Sequence, residues 1–70
     1  MVTERKQEFP AISLAAARVN ARLTQKQMAH ACGVSESTVV SWENGKRYPN
    51  AKMLNKIEQV VGISLNFIRF

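Results

Sequence analysis

The stretch of residues 24–45, near the middle of the chain, constrains the fold most because it encodes two short helices and the turn between them. Thr24 has a glutamine three residues later, and this spacing matches the reciprocal capping pattern at the start of a helix. Gly33 can take the positive φ that ends a helix. We therefore predict a helix over residues 25–32. Its apolar stripe consists of Met28, Ala29 and Cys32.

The second helix of this stretch is predicted over residues 36–44. Ser35 before it is a preferred N-cap, and Glu36 places a negative charge at the positive end of the helix dipole. Val34 is apolar in the middle of the turn and is expected to pack into the core, while Gly45 ends the helix. The inward face is expected to hold Val39, Trp42 and Glu43, and the outward face Ser37, Thr38, Ser41 and Asn44.

Two helices joined by a turn of about three to four residues that contains glycine form the helix-turn-helix pattern. The chain also resembles the repressor-like helix-turn-helix family, which includes phage Cro and repressor proteins and many small bacterial regulators. The fragments that carry this resemblance are, in order, Leu23-Thr24-Gln25, Met28-Ala29, Gly33-Val34-Ser35, Thr38-Val39 and Trp42-Glu43-Asn44-Gly45-Lys46. The resemblance covers about residues 14–68 and implies a compact, all-α, five-helix DNA-binding domain.

The length and charge of the chain are typical of one small domain with an anionic partner. Its 70 residues provide a single small core. Ten Lys and Arg residues against five acidic ones give a formal net charge of +5. This balance favours nucleic acid as the partner, although a basic surface also keeps a small protein soluble.

Several other classes of protein lack support in the sequence. The single cysteine, Cys32, forms no internal disulfide or cysteine-rich metal site and is expected to be buried, while His30 is expected to be exposed. The chain has no long apolar run and no signal peptide, so we expect a cytoplasmic protein. It also has no nucleophile–base pair, carboxylate pair, glycine-rich phosphate loop or metal-ligand set. We therefore expect no enzyme activity, no cofactor, no bound metal and no small-molecule effector.

The flanking segments are predicted to add three helices and no strand. Residues 1–9 lack periodic apolar residues and are predicted to form a flexible N-terminal arm, whereas residues 10–70 form the helix-turn-helix domain. Arg5 and Lys6 can touch DNA, but a solvated tail is the favoured interpretation of the arm. The additional helices are predicted over residues 11–21 after Pro10, 51–61 after the N-cap Asn50, and 65–69 after Ser64. Two of them carry apolar stripes, formed by Leu14, Ala17 and Ala21 and by Leu54, Ile57 and Val61.

Arg18 lies beside the apolar stripe of the first predicted helix, one position from Ala17. The resemblance implies that Arg18 pairs with the glutamate of the Trp-Glu step, Glu43, in a largely buried ion pair. The alternative is that Arg18 lies on the surface and binds a DNA phosphate. Breaking a buried pair of this kind is costly, because the remaining charge is left without a partner.

Base contacts are expected from the outward face of the second helix of the unit, since a helix of this size fits the major groove of DNA. Thr38 can serve a base or a phosphate, and Val40 can meet a thymine methyl. Glu36 departs from several phage repressors, which carry a glutamine here that bonds adenine in a bidentate manner. A glutamate can accept from a cytosine amino group, or it can serve only as a partner of the helix dipole. By resemblance, Glu36, Ser37 and Ser41 contact bases. The full expected base-contacting set is Glu36, Ser37, Thr38, Val40 and Ser41.

Phosphate contacts are expected on both sides of that helix. Gln25 lies at a helix N-terminus, where free N–H groups favour an anion. By resemblance, the loop after Gly45 lies along the DNA backbone, where its cations and its tyrosine can donate to phosphates. Each lysine taken alone is more often a solvated charge. The expected phosphate-binding set is Gln25, Lys26, Asn44, Lys46, Arg47, Tyr48 and Lys52.

The end of the chain is rich in apolar residues. Leu65 and Ile68 are expected to pack inward, whereas Phe67 and Phe70 share another helix face and are expected to be exposed. By resemblance to phage repressors, this end forms a two-fold homodimer on half-sites about 34 Å apart. The alternative is that both rings fold back on the core of a monomer.

The sequence thus favours a sequence-specific DNA-binding transcriptional regulator, of which a Cro-like phage or mobile-element repressor is the closest kind. Its partner would be double-stranded DNA. The alternative function is a protein-interaction module, such as the antitoxin of a toxin–antitoxin pair.

Overall fold

The computed structural model describes residues 11–70 of the chain. Within this part, four α-helices surround one core and two short strands pair with each other. Along the chain the elements are β1 (Ile12–Ser13), α1 (Leu14–Asn20), α2 (Gln25–Cys32), α3 (Glu36–Glu43), α4 (Ala51–Val61), a 3-10 turn (Leu65–Phe67) and β2 (Ile68–Arg69). The predicted helix-turn-helix, α2 and α3, is present.

The bounds of α2 follow from local capping. The hydroxyl of Thr24 accepts from the N–H of Gln27 at 3.0 Å, and the N–H of Thr24 donates to Gln27 Oε1 at 2.8 Å. This capping box satisfies two backbone donors that the helix itself leaves without partners. Gly33 ends α2 with a φ of 75°, in the left-handed region that glycine adopts without steric cost.

Side-chain N-caps also determine where α3 and α4 begin, and a left-handed glycine ends α4. Ser35 Oγ accepts from the N–H of Thr38 at 3.2 Å, and Asn50 Oδ1 accepts from the N–H of Met53 at 2.8 Å. Gly62 ends α4 with a φ of 71°. The three predicted N-caps, those of α2, α3 and α4, are therefore confirmed.

The core lies between the helices and is closed at one side by β2. Trp42 and Cys32 point inward, as predicted, and Val34 packs against the core from the turn between α2 and α3. The predicted stripe of α4 is buried at Ile57 and Val61, but Leu54 is only half-buried. The buried core consists of Leu14, Ala17, Met28, Ala29, Cys32, Val39, Trp42, Ile57, Val61 and Ile68.

The start of the first helix differs from the prediction of residues 11–21. Ile12 and Ser13 are extended as β1, and α1 begins only at Leu14. The cause is a local cap, since Ser13 Oγ accepts from the N–H of Ala16 at 3.0 Å. Pro10, predicted for the first turn of this helix, and the predicted arm at residues 1–9 lie outside the described residues.

The prediction of a fifth helix without strands is wrong. Residues 65–67 form a single 3-10 turn, and β2 then runs parallel to β1 with Ile12 opposite Ile68 and Ser13 opposite Arg69. Backbone pairing gives hydrogen-bond partners to polar groups of both segments, and the β-branched Ile68 is buried in this extended conformation. Arg69 Nη1 also donates to the carbonyl oxygen of Ala11 at 2.9 Å. No helix among the described residues is long and apolar enough to cross a membrane.

Candidate nucleic-acid interface

The ion pair between Arg18 and Glu43 fixes α1 against the C-terminal end of α3. Arg18 Nε lies 2.6 Å from Glu43 Oε2, and the two side chains are 14% and 9% exposed. Arg18 Nη1 also donates to the carbonyl oxygen of Leu23 at 2.8 Å, which ties the turn between α1 and α2 to the same site. The predicted pair is thus present and largely buried, and Arg18 is not a surface cation.

Gln25 joins this pair, a contact that the sequence analysis missed. Its Nε2 donates to Glu43 Oε1 at 2.9 Å, and its side chain is partly buried. The contact links residues 18 positions apart, and no local spacing rule predicts it. It brings the N-terminus of α2 beside the C-terminus of α3.

The first two turns of α3 present most of the predicted base-contacting side chains. Glu36 and Ser37 are exposed, and Val40 is 36% exposed. Thr38 and Ser41 are half-buried. All five predicted residues therefore lie within the first six residues of α3, and three of them are more accessible than the other two.

The hydroxyl groups at the start of α3 form a cluster around Ser35. Ser35 Oγ lies 3.0 Å from Ser37 Oγ and 2.9 Å from Thr38 Oγ1. Arg47 Nη1, in the loop after α3, donates to Thr38 Oγ1 at 3.4 Å. The signal for this cluster was present in the sequence, because a serine N-cap was followed by hydroxyl residues two and three positions later. The side chains of Ser37 and Thr38 are thereby hydrogen-bonded to the N-cap of their own helix.

The exposed cations of the predicted phosphate set have no acidic partner within residues 11–70. The ion pair in that part of the chain is Arg18–Glu43, which includes none of the cations of the phosphate set. The four cations of that set are all exposed. The four charged residues of the first ten cancel one another, so the whole excess of five positive charges belongs to residues 11–70. The exposed cations of the set are Lys26, Lys46, Arg47 and Lys52.

Two uncharged members of the set lie at the end of α3 and in the loop that follows it. Asn44 Oδ1 accepts from the N–H of Lys46 at 3.2 Å, which leaves the amide N–H groups of this exposed side chain without partners among the described residues. Tyr48 is 71% exposed, and its ring meets the ring of Phe70 edge-on, with centroids 5.7 Å apart. Both side chains can donate a hydrogen bond to an anion from this surface.

The expected exposed pair of aromatic residues at the end of the chain is a wrong prediction. Phe67 and Phe70 are each half-buried, and Phe70 packs against the core as well as against Tyr48. The reason is the extended backbone of β2, in which residues two apart share a face. Phe70 therefore follows the buried Ile68 inward.

His30 and Cys32 are the remaining residues that could bind a metal or react. Among residues 11–70, no three metal-ligating side chains lie together, and His30 is exposed. Burial raises the pKa of the Cys32 thiol, against a smaller lowering by Lys56. The thiol is therefore protonated near neutral pH and packs as an apolar group.

A family model described as helix-turn-helix matches residues 14–68, which include the capped helices and the polar network described above. The chain belongs to the helix-turn-helix family. The resemblance drawn from the sequence fragments is confirmed by this match. It covers every residue of the predicted DNA-contacting sets, and of the two C-terminal aromatic residues it includes Phe67 but not Phe70.

Similar curated proteins come from a plant and a bacterium. Multiprotein-bridging factors 1b and 1a of Arabidopsis thaliana are 37% and 35% identical over 49 residues, 70% of this chain and 34% of each relative. The HTH-type transcriptional activator BcrR of Enterococcus faecalis is 35% identical over 49 residues, 70% of this chain and 24% of its own length. The helix-turn-helix chain thus spans about a quarter to a third of these relatives. No solved structure matches it.

Proposed function

We propose that this helix-turn-helix chain is a transcriptional regulator that binds double-stranded DNA in a sequence-specific manner, with α3 in the major groove and no catalytic activity of its own. One observation carries the proposal. The first two turns of α3 present accessible side chains, and Arg47 Nη1 lies 3.4 Å from Thr38 Oγ1 in those turns. The exposed cations of the phosphate set have no acidic partner in the described part of the chain. A helix of this kind contacts bases, while the cations contact phosphates.

The proposed contacts follow from this placement. Base contacts are assigned to Glu36, Ser37, Thr38, Val40 and Ser41, and phosphate contacts to Gln25, Lys26, Asn44, Lys46, Arg47, Tyr48 and Lys52. The cluster around Ser35 supports the first set, since it fixes two hydroxyl groups before DNA arrives. Preorganised donors lose less entropy on binding.

A Cro-like phage or mobile-element repressor is the proposed kind of regulator. It would act by occupying an operator, without a small-molecule effector. One relative is named a transcriptional activator. Transcription from a promoter that carries the operator, with and without the protein, distinguishes repression from activation.

We further propose that two copies bind one operator as a homodimer. A single short helix covers few base pairs, and two-fold symmetric half-sites about 34 Å apart double the sequence that is selected. The proposed dimer contact is the C-terminal segment that contains Phe67 and Phe70.

The test is selection of bound duplexes from a random DNA pool, followed by binding of the selected duplex at several salt concentrations. We expect a two-fold symmetric motif and specific binding that survives salt levels at which binding to random DNA is lost. If no sequence is enriched and salt abolishes all binding, only non-specific attraction is present and the proposal fails.

A protein-interaction module is the second candidate, since two relatives are named multiprotein-bridging factors. An antitoxin is one form of such a module. It predicts that no motif emerges from the selection, whereas a partner protein binds the C-terminal segment and that binding is lost in Phe67→Ala.

A further inference from the structure

Glu36 is the one acidic residue among the predicted base-contacting residues of α3. None of the other four forms a hydrogen bond with its side chain. It is the first residue of the helix and is exposed. The side chains of its neighbours Ser37 and Thr38 form hydrogen bonds with Ser35, but the side chain of Glu36 forms no hydrogen bond or ion pair with any other residue of 11–70. Its carboxylate is therefore available to a ligand.

A carboxylate in the major groove can only accept hydrogen bonds, and this limits the bases that it can face. Guanine and thymine present acceptors, O6 with N7 and O4, which repel it. Adenine presents the N6 amino donor beside the acceptor N7, so one carboxylate oxygen would meet a lone pair. Cytosine presents its N4 amino donor beside a C5–H group that repels nothing. Cytosine is the base that a carboxylate fits.

The surrounding phosphates make this preference stronger. A carboxylate that enters the groove loses hydration and lies near negative charges, so it is favourable only where a donor compensates for the lost water. Opposite any base other than cytosine, the same carboxylate stays costly. Glu36 thus disfavours three bases as well as favouring one, which is how specificity arises from a difference of affinities.

Val40 lies one helical turn after Glu36 and shares its face. Val40 is 36% exposed, whereas Val39 and Trp42 of the same helix are buried. An apolar side chain beside an acceptor matches a pyrimidine, whose C5 edge is apolar in cytosine and carries a methyl group in thymine. The two side chains together present a surface for pyrimidines.

We propose, on the basis of the DNA-binding function proposed above, that Glu36 selects a cytosine in each half-site of the operator through its N4 amino group. Val40 packs against the C5 edge of that cytosine or of an adjacent thymine. The glutamate is thus a specificity-determining residue and not only a partner of the helix dipole.

The experiment compares the motifs that the wild type and Glu36→Gln select from one random duplex pool. We expect the wild type to prefer cytosine at one position of each half-site by about tenfold. Glutamine can donate to N7 and accept from the N6 amino group, so the variant should prefer adenine at that position and keep every other position unchanged. Glu36→Ala should bind with no preference there.

Glu58→Gln is the matched control for the loss of one negative charge. Glu58 lies on α4, where its Oε2 accepts from the N–H of Leu65 at 3.4 Å, and glutamine retains an acceptor for that bond. Both variants raise the net charge by one, but only Glu36 is placed beside the DNA phosphates, so Glu36→Gln should tighten binding to random DNA more than the control does. The control should still select cytosine.

Three results would overturn the inference. If Glu36→Gln selects the motif of the wild type, or if the wild type selects a base other than cytosine at the position that changes, Glu36 does not read cytosine, although the proposed function stands. If neither chain selects any motif, the proposed function fails and the inference fails with it. Thermal unfolding of each variant confirms that a lost preference is not a lost fold.

Discussion

Glu36 and Glu43 stand at opposite ends of α3, and their surroundings are opposite. Glu43 is 9% exposed and accepts hydrogen bonds from Arg18 and Gln25. Glu36 is exposed and has no partner among residues 11–70. A carboxylate loses its hydration without cost only where donors replace the water. One end of α3 therefore holds the helices together, while the carboxylate at the other end stays open to solvent.

The largest expected effect comes from breaking the buried end. Glu43→Ala leaves the guanidinium of Arg18 largely buried without its partner, and we expect a loss of roughly 3 kcal/mol in the free energy of unfolding. Urea denaturation of the purified chain measures it. Glu36→Ala is the matched control and should leave the midpoint nearly unchanged. If the two substitutions cost the same, the contrast between the two ends of α3 is wrong.

The next effect concerns the free end. Ser37→Ala combined with Ser41→Ala should weaken binding to the selected duplex by about tenfold, because hydrogen bonds to bases are lost. Binding to random DNA should change little, and the unfolding midpoint should stay close to that of the wild type. Equal losses on both duplexes would show that these serines do not contact bases.

Gln25 lies between the two roles. Gln25→Ala removes the bond to Glu43 and the proposed phosphate contact, so we expect a loss of about 1 kcal/mol in unfolding free energy. Affinity for all duplexes should also fall, whatever their sequence. Gln59→Ala, at an exposed position of α4, is the control and should alter neither quantity. Unchanged stability in Gln25→Ala would mean that the amide contributes nothing to the network.

The smallest expected effect concerns the turn that Arg18 holds in place. Arg22 is exposed and has a φ of 64°. This backbone conformation is sterically strained for a residue with a Cβ atom but not for glycine. Arg22→Gly and Arg22→Ala remove the same charge, but only glycine relieves the backbone. We expect the glycine variant to be the more stable of the two by about 1 kcal/mol in thermal unfolding. A more stable alanine variant would contradict the strain.

Local signals explain what the sequence predicted well. The caps at Thr24, Ser35 and Asn50 and the left-handed glycines act within three or four residues, so the bounds of α2, α3 and α4 could be predicted. The Arg18–Glu43 pair spans 25 positions and was available only through the family resemblance.

The late start of α1 has a local cause, the cap by Ser13, but the other failures involve partners distant in the chain. β1 and β2 pair across more than 50 residues, and this pairing turned a predicted helix into a strand and moved Phe70 inward. The bond between Gln25 and Glu43 is of the same kind. Such contacts form only once the core has brought the segments together. The spacing of apolar residues within either segment therefore does not predict them.

The division of α3 can be tested most directly by NMR, with the selected duplex titrated into the labelled chain. We expect the amide signals of residues 36–41 and 46–48 to shift the most, while the Nε–H signal of Arg18 stays where it is. The largest shifts at residues 65–70, with α3 unaffected, would contradict DNA contact through this helix.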